Sequence, residues 1–178
     1  IMTESMVKSQ SHHANTELVQ ELTENTVTGG VAMINHALAE MWQVTYDILM
    51  HDWYLALLAS AFGNLVFIDQ PGELYRQHSD NVLGARTLSK RFKKWIRPHI
   101  LFAVYWDLIK NSQKQARHLL QMPLSQSNRE LIEAFVTIMD KSMLERFRIL
   151  RKYGLRKNKA FHTLVFTTLI VTKFAYKE

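Results

Sequence analysis

Three residues constrain the second half of this chain more than anything else in it. Pro98, Pro123 and Gly154 are the only proline or glycine residues after Gly84. Proline removes a backbone donor and clashes with the preceding turn, and glycine favours helix ends. The segments between them are long enough for helices, so the sequence predicts three or four there, with Ser125-Gln126-Ser127-Asn128 as a cap region after Pro123. Ile132, Phe135, Val136, Met139, Met143, Leu144, Phe147 and Leu150 keep a near-heptad apolar stripe. Such a stripe is long enough to pack on another helix or on a second copy of the chain.

The first half is patterned differently. A polar opening leads into Thr16-Glu17-Leu18-Val19-Gln20-Glu21-Leu22, a short helical pattern with one narrow apolar face that depends on neighbours for order. Residues 27–35 combine Gly29-Gly30 with a β-branched run, which predicts a turn entering a buried strand. Asn35 then caps a short helix reaching Met41. Trp53, Leu57 and Ala61 recur at fourfold spacing, with Leu55, Leu58 and Phe62 beside them, so a helix begins at His51-Asp52 and Gly63 ends it. Residues 65–69 and 74–78 flank Gln70-Pro71-Gly72-Glu73 and predict a small hairpin. The expected fold class is mainly α with a small β remnant, divided into residues 1–85 and a basic helical tail, 86–178.

Nearly half of the chain is apolar, which excludes a disordered tail, and the absence of cysteine excludes disulfide frameworks and thiolate chemistry. The net charge of +6 hides an asymmetry. Residues 1–85 carry two basic against ten acidic residues, a net −8, while 86–178 carry twenty against six, a net +14. That points the tail towards an anionic partner. Ile1 reads as a cut rather than a natural start. The apolar run at 161–176 is interrupted by His162, threonines and Lys173, and falls short of the roughly 20 residues a spanning helix needs.

Two polar knots flank the expected hairpin. In the first, His51-Asp52-Trp53, a carboxylate in the first turn of a helix is held by free backbone amides and the helix dipole, as a general base must be held. The same placement serves equally for a simple helix cap. In the second, Tyr75-Arg76-Gln77-His78, the alternation of an extended segment projects Arg76 and His78 to one face, where they suit a phosphate or ordinary surface. The glycine pair lets backbone approach a ligand where a side chain would collide.

Taken in order, Thr28-Gly29-Gly30, Met50-His51-Asp52-Trp53 with its Ala-Leu-Leu-Ala-Ser helix, Phe67-Ile68-Asp69-Gln70-Pro71 and Tyr75-Arg76-Gln77-His78-Ser79-Asp80-Asn81 resemble glycosyltransferase family 2 over about residues 25–85. The resemblance is to bacterial rhamnosyltransferase-like members that build surface polysaccharide. It implies the carboxyl-terminal part of a GT-A fold and inverting transfer from a nucleotide-sugar, dTDP-rhamnose, to a glycan or lipid-linked acceptor. It further implies Asp52 as the base, with His51 in place of the family's usual Glu, and Trp53 lining the acceptor pocket. Gly29 and Gly30 lie close to the donor sugar. Arg76, Gln77 and His78 close over the diphosphate and a divalent Mg or Mn ion, with His78 as the candidate metal ligand and Asn81 ordering that lid. The Gln-x-x-Arg-Trp motif of processive synthases is missing, which argues for single additions. The family's amino-terminal nucleotide-binding units and Asp-x-Asp motif have no counterpart in the 178 residues, so the chain alone is expected to be inactive.

Basic and aromatic residues interleave at 90–97 and 146–159, which suits an anionic membrane and implies a cytoplasmic protein peripheral on the inner face of the cell membrane. A solvated basic face explains the same composition. Nucleic acid is not the expected partner, since it rests on charge alone. The competing expectation is a helical membrane- or partner-binding adaptor without catalysis, forming a homodimer through the 132–150 stripe. His12-His13 lacks the i, i+4 spacing of two helical metal ligands.

Overall fold

The computed structural model of the chain describes residues 16–42, 48–70 and 98–176. Among these the chain is helical and forms no strand: α1 is Leu18–Glu21, α2 His36–Glu40, α3 His51–Phe62, α4 Pro98–Leu119, α5 Gln126–Val136, α6 Met143–Tyr153 and α7 Ala160–Thr172. Two 3-10 turns, Gly29–Val31 and Ile138–Asp140, complete it. Mainly α is therefore correct.

The helix boundaries follow local chemistry. Asn35 caps α2 by accepting from the Leu38 amide, and Ser125 caps α5 by accepting from the Asn128 amide. Pro98 opens α4, where its missing N–H costs nothing. Gly63 follows α3, and Gly154 ends α6 in the left-handed region at φ 68°.

The β remnant is corrected. Val31, Met33 and Ile34 are exposed, Met33 at 91%, and Gly29-Gly30 wind into a 3-10 turn instead of feeding a buried strand. Residues 65–69 are irregular, with Val66 75% exposed. The physical reason is pairing: β-branched residues hold a strand only where a neighbour completes the ladder and covers a face, and no described segment does so. The expected strand at 74–78 lies outside the described residues.

The near-heptad stripe is corrected as well. It does not run along one helix, because Thr137 to Ser142 contain a 3-10 turn and a new cap. Ser142 and Glu145 form a capping box that starts α6 afresh. Ile132, Phe135, Val136, Met139 and Leu150 are buried, while Met143, Leu144 and Phe147 face outward.

One hydrophobic cluster unites the described residues. It joins Leu18 and Leu22, then Trp53, Leu57 and Leu58 of α3, with Trp106, Ile109 and Leu119 of α4, Ile132 and Phe135 of α5, and Phe166, Leu169 and Ile170 of α7. The acidic and basic regions thus share a core; the boundary expected near residue 85 itself lies outside the described residues.

Candidate functional site

The site is built around the amino-terminus of α3. Two backbone amides just before it, those of Leu49 and Met50, donate to Oε1 of the buried Gln115 on α4 at 3.1 and 3.3 Å. That anchors the helix start, so the side chains projecting from its first turn are fixed relative to the core. Asp52, buried at the second position of α3, turns its carboxylate back onto the loop after α1. Oδ2 accepts from the Gly29 amide at 3.1 Å, and Oδ1 accepts from Asn25 Nδ2 at 3.2 Å and from the Trp53 amide at 2.7 Å.

Gly29 packs close against the start of α3. A Cβ added to it would stand 2.7 Å from Nε2 of His51 and 3.5 Å from Cβ of Asp52. The structure therefore brings Gly29, His51 and Asp52 into mutual contact, with the His51 ring exposed and Asp52 beneath. Gly30, the next residue, is exposed on the same turn. Trp53 takes a different place: it is buried, and its indole N–H donates to the Glu21 carbonyl at 2.7 Å, tying α3 to α1. Arg76, Gln77, His78 and Asn81 lie outside the described residues.

Glu21 is the residue that sequence reasoning passed over. It is fully buried on α1, and its carboxylate accepts from the Thr26 hydroxyl and, at 3.4 Å, from the Thr26 amide. Burial pushes its pKa up to about 7; the Thr26 hydrogen bonds partly offset this, and Glu24 and Asp52 add to it. Glu21 and Asp52 thus hold the 25–29 loop from two sides, through Thr26 and through Asn25 and Gly29. A signal existed in the sequence: Leu18, Glu21 and Leu22 share one helical face at i, i+3, i+4, so the acid sits on the apolar stripe.

The resemblance implies a divalent ion, whose candidate ligand His78 lies outside the described residues. Among the described residues no group of three or more His, Asp or Glu is placed to hold a metal, and no step is assigned to one. A separate open cleft of about 640 Å³ is lined by Gln20, Arg156, Lys157, Asn158, Thr163 and Leu164, among others, and by none of Gly29, His51, Asp52 or Trp53. Lys157 turns its ammonium inward onto the Thr23 carbonyl, and burial lowers its pKa to about 8 against the opposing pull of Glu24. Among the described residues no helix is long and apolar enough to cross a membrane.

Comparison of the chain with protein-family models, with curated proteins and with solved structures gives no match.

Proposed function

We propose that this chain is the acceptor-side part of an inverting sugar transferase of GT-A type, rhamnosyl-transferring, with Asp52 as its general base. The observation that carries the reading is the meeting of Gly29 with the adjacent pair His51-Asp52, more than twenty residues away in sequence, at positions that the family motifs assign to one site. In the reaction, an Asp52 oxygen takes the proton of an acceptor hydroxyl. The hydroxyl oxygen forms the new bond to the anomeric carbon, and the nucleoside diphosphate leaves with the electron pair of the old one. Asn25 and the Gly29 amide fix the carboxylate's direction, which matters because proton transfer demands hydrogen-bond reach to the acceptor. His51 stands at the exposed rim. Arg76, Gln77, His78 and Asn81 are assigned to the diphosphate side on motif alone.

The test is Asp52→Asn in the longest natural polypeptide that contains this chain, assayed with dTDP-rhamnose and glycan acceptors. The expected result is a loss of transfer on the order of 10²- to 10⁴-fold in a variant that still folds, with melting lowered only by the loss of the carboxylate's own bonds to the loop. Full turnover by that variant refutes the base.

A second reading, a helical membrane- or partner-binding module without catalysis, is favoured by one observation: both Asp52 oxygens already accept hydrogen bonds from the chain itself. On that reading Asp52→Asn lowers stability by about 1–2 kcal/mol, through loss of charge-assisted bonds to the loop, and no transferase activity exists to lose.

A further inference from the structure

The charge of α6 is divided between inside and outside. Arg146 is buried, and its guanidinium donates to the Val171 carbonyl at 3.1 and 2.7 Å and to the Lys141 carbonyl at 2.8 Å. It closes the carboxyl end of α7 and takes no part in any outer surface. The other cations of the helix, Arg148, Arg151 and Lys152, are exposed. With them on the outer side are Met143, Leu144 and Phe147, 55%, 64% and 47% exposed.

Helical geometry arranges these six residues in two adjacent i, i+4 rows. One runs Met143, Phe147, Arg151, and the other Leu144, Arg148, Lys152. The amino-terminal end of the face is therefore apolar and the carboxyl-terminal end cationic. Glu145, the acid within the helix, is tied back to Ser142, accepting from its amide at 2.9 Å and its hydroxyl at 2.6 Å. Asp140 lies exposed just before the cap, beside exposed Lys141. The helix packed against α6 adds apolar surface without charge: α7 contains no Asp, Glu, Lys or Arg, and its Phe161 and Leu164 are exposed.

We propose that the outer face of α6 is a docking surface for an anionic lipid bilayer. The argument is chemical fit. Methionine, leucine and phenylalanine gain from entering the acyl boundary, while arginine and lysine stems lie along it with their charged ends among headgroup phosphates. Nucleic acid would satisfy the cations and leave three large apolar groups in water. A second copy would bring three more cations to the same small face, with no free acid on the helix to answer them. The inference is independent of the role of Asp52, so its failure leaves the transferase reading standing.

The experiment is flotation of the intact chain with vesicles of phosphatidylcholine alone and with one quarter phosphatidylglycerol, at 0.1 M and 0.5 M salt. Binding is expected to the anionic vesicles only, and to weaken roughly tenfold or more at the higher salt. The Leu144→Glu, Phe147→Glu pair is expected to lower partitioning roughly tenfold or more, with the circular dichroism spectrum and melting unchanged. Phe147→Trp, which needs no charge on the face, is expected to add fluorescence quenched by brominated lipid beyond that of the unaltered chain. No binding, binding that the glutamate pair leaves intact, or tryptophan emission at 147 insensitive to brominated lipid each overturns the proposal. Loss of self-association or of RNA retention in the glutamate pair, without lipid binding by the parent, assigns the face to those partners instead and also overturns it.

Discussion

Glu21 couples the site to pH. Its folded pKa, raised by burial to about 7 from an ordinary 4.5, means that the folded chain keeps a proton which the unfolded chain releases. Its contribution to stability is therefore fully present below pH 4.5, falls by at most about 1.4 kcal/mol per unit as pH rises towards 7, and is lost above that. The total is on the order of 3 kcal/mol. Glu21→Gln removes this slope, so urea unfolding at pH 5 and pH 8 should show the variant gaining on the parent at the higher pH. Equal differences at both pH values would mean that Glu21 titrates normally in the fold. Gly29 offers a second test at this scale. The obstacle to a Cβ is the far end of an exposed histidine, which can rotate away. Gly29→Ala is expected to cost no more than about 1 kcal/mol, and to move the His51 ring proton signals by displacing the ring.

At the scale of elements, the local signals of helix start and stop were legible and the longer periodicities were not. Asn35, Ser125, Gly63, Pro98 and Gly154 each act where their backbone chemistry predicts. The stripe from 132 to 150 misleads because Met139 and Met143 are four apart, a spacing that a continuous helix and a broken one both allow. Ser142-x-x-Glu145 was the contrary signal, a capping box placed inside the stripe. The β-branched run after Gly30 misleads for another reason: strand propensity measures fit to a paired surface, and pairing is a property of neighbours that a local pattern does not contain. Ser142→Ala is expected to lower stability by about 1 kcal/mol. Gly154→Ala is expected to cost a similar amount through backbone strain alone, since a Cβ there meets nothing within 4 Å. Arg146→Met, which keeps the bulk and leaves the Val171 and Lys141 carbonyls unserved, is expected to cost about 3 kcal/mol. Thermal or urea melts would rank the three, and an Arg146→Met variant as stable as the parent would place that arginine on the surface in solution.

At the scale of the molecule, the opposed charges of the two regions suggested an outside partner for the tail, but part of that tail faces inward to the first region. Lys157 meets the Thr23 carbonyl, Thr23 Oγ1 donates to the Arg156 carbonyl at 2.6 Å, and the Asn158 amide donates to Glu24 at 2.9 Å. Ser112 bonds the Leu22 carbonyl, and Asn128 Nδ2 reaches the Ala61 carbonyl at 2.8 Å. These polar ties enclose the same cluster that packs Leu22, Trp53 and Leu57 against α4 and α7. Cutting the chain before Pro98 would expose that apolar face and strip partners from Ser112, Gln115 and Lys157 together, losses that a tail of this size cannot absorb given ordinary margins of stability. Residues 98–176 alone are therefore expected to keep much of their far-ultraviolet helical signal, lose cooperative melting and bind a hydrophobic dye. Adding a peptide of residues 16–70 should restore part of the cooperativity. A tail that melts cooperatively and binds no dye by itself would mean that α4 to α7 close their own core, and the acidic region would then be a separable partner rather than half of one fold.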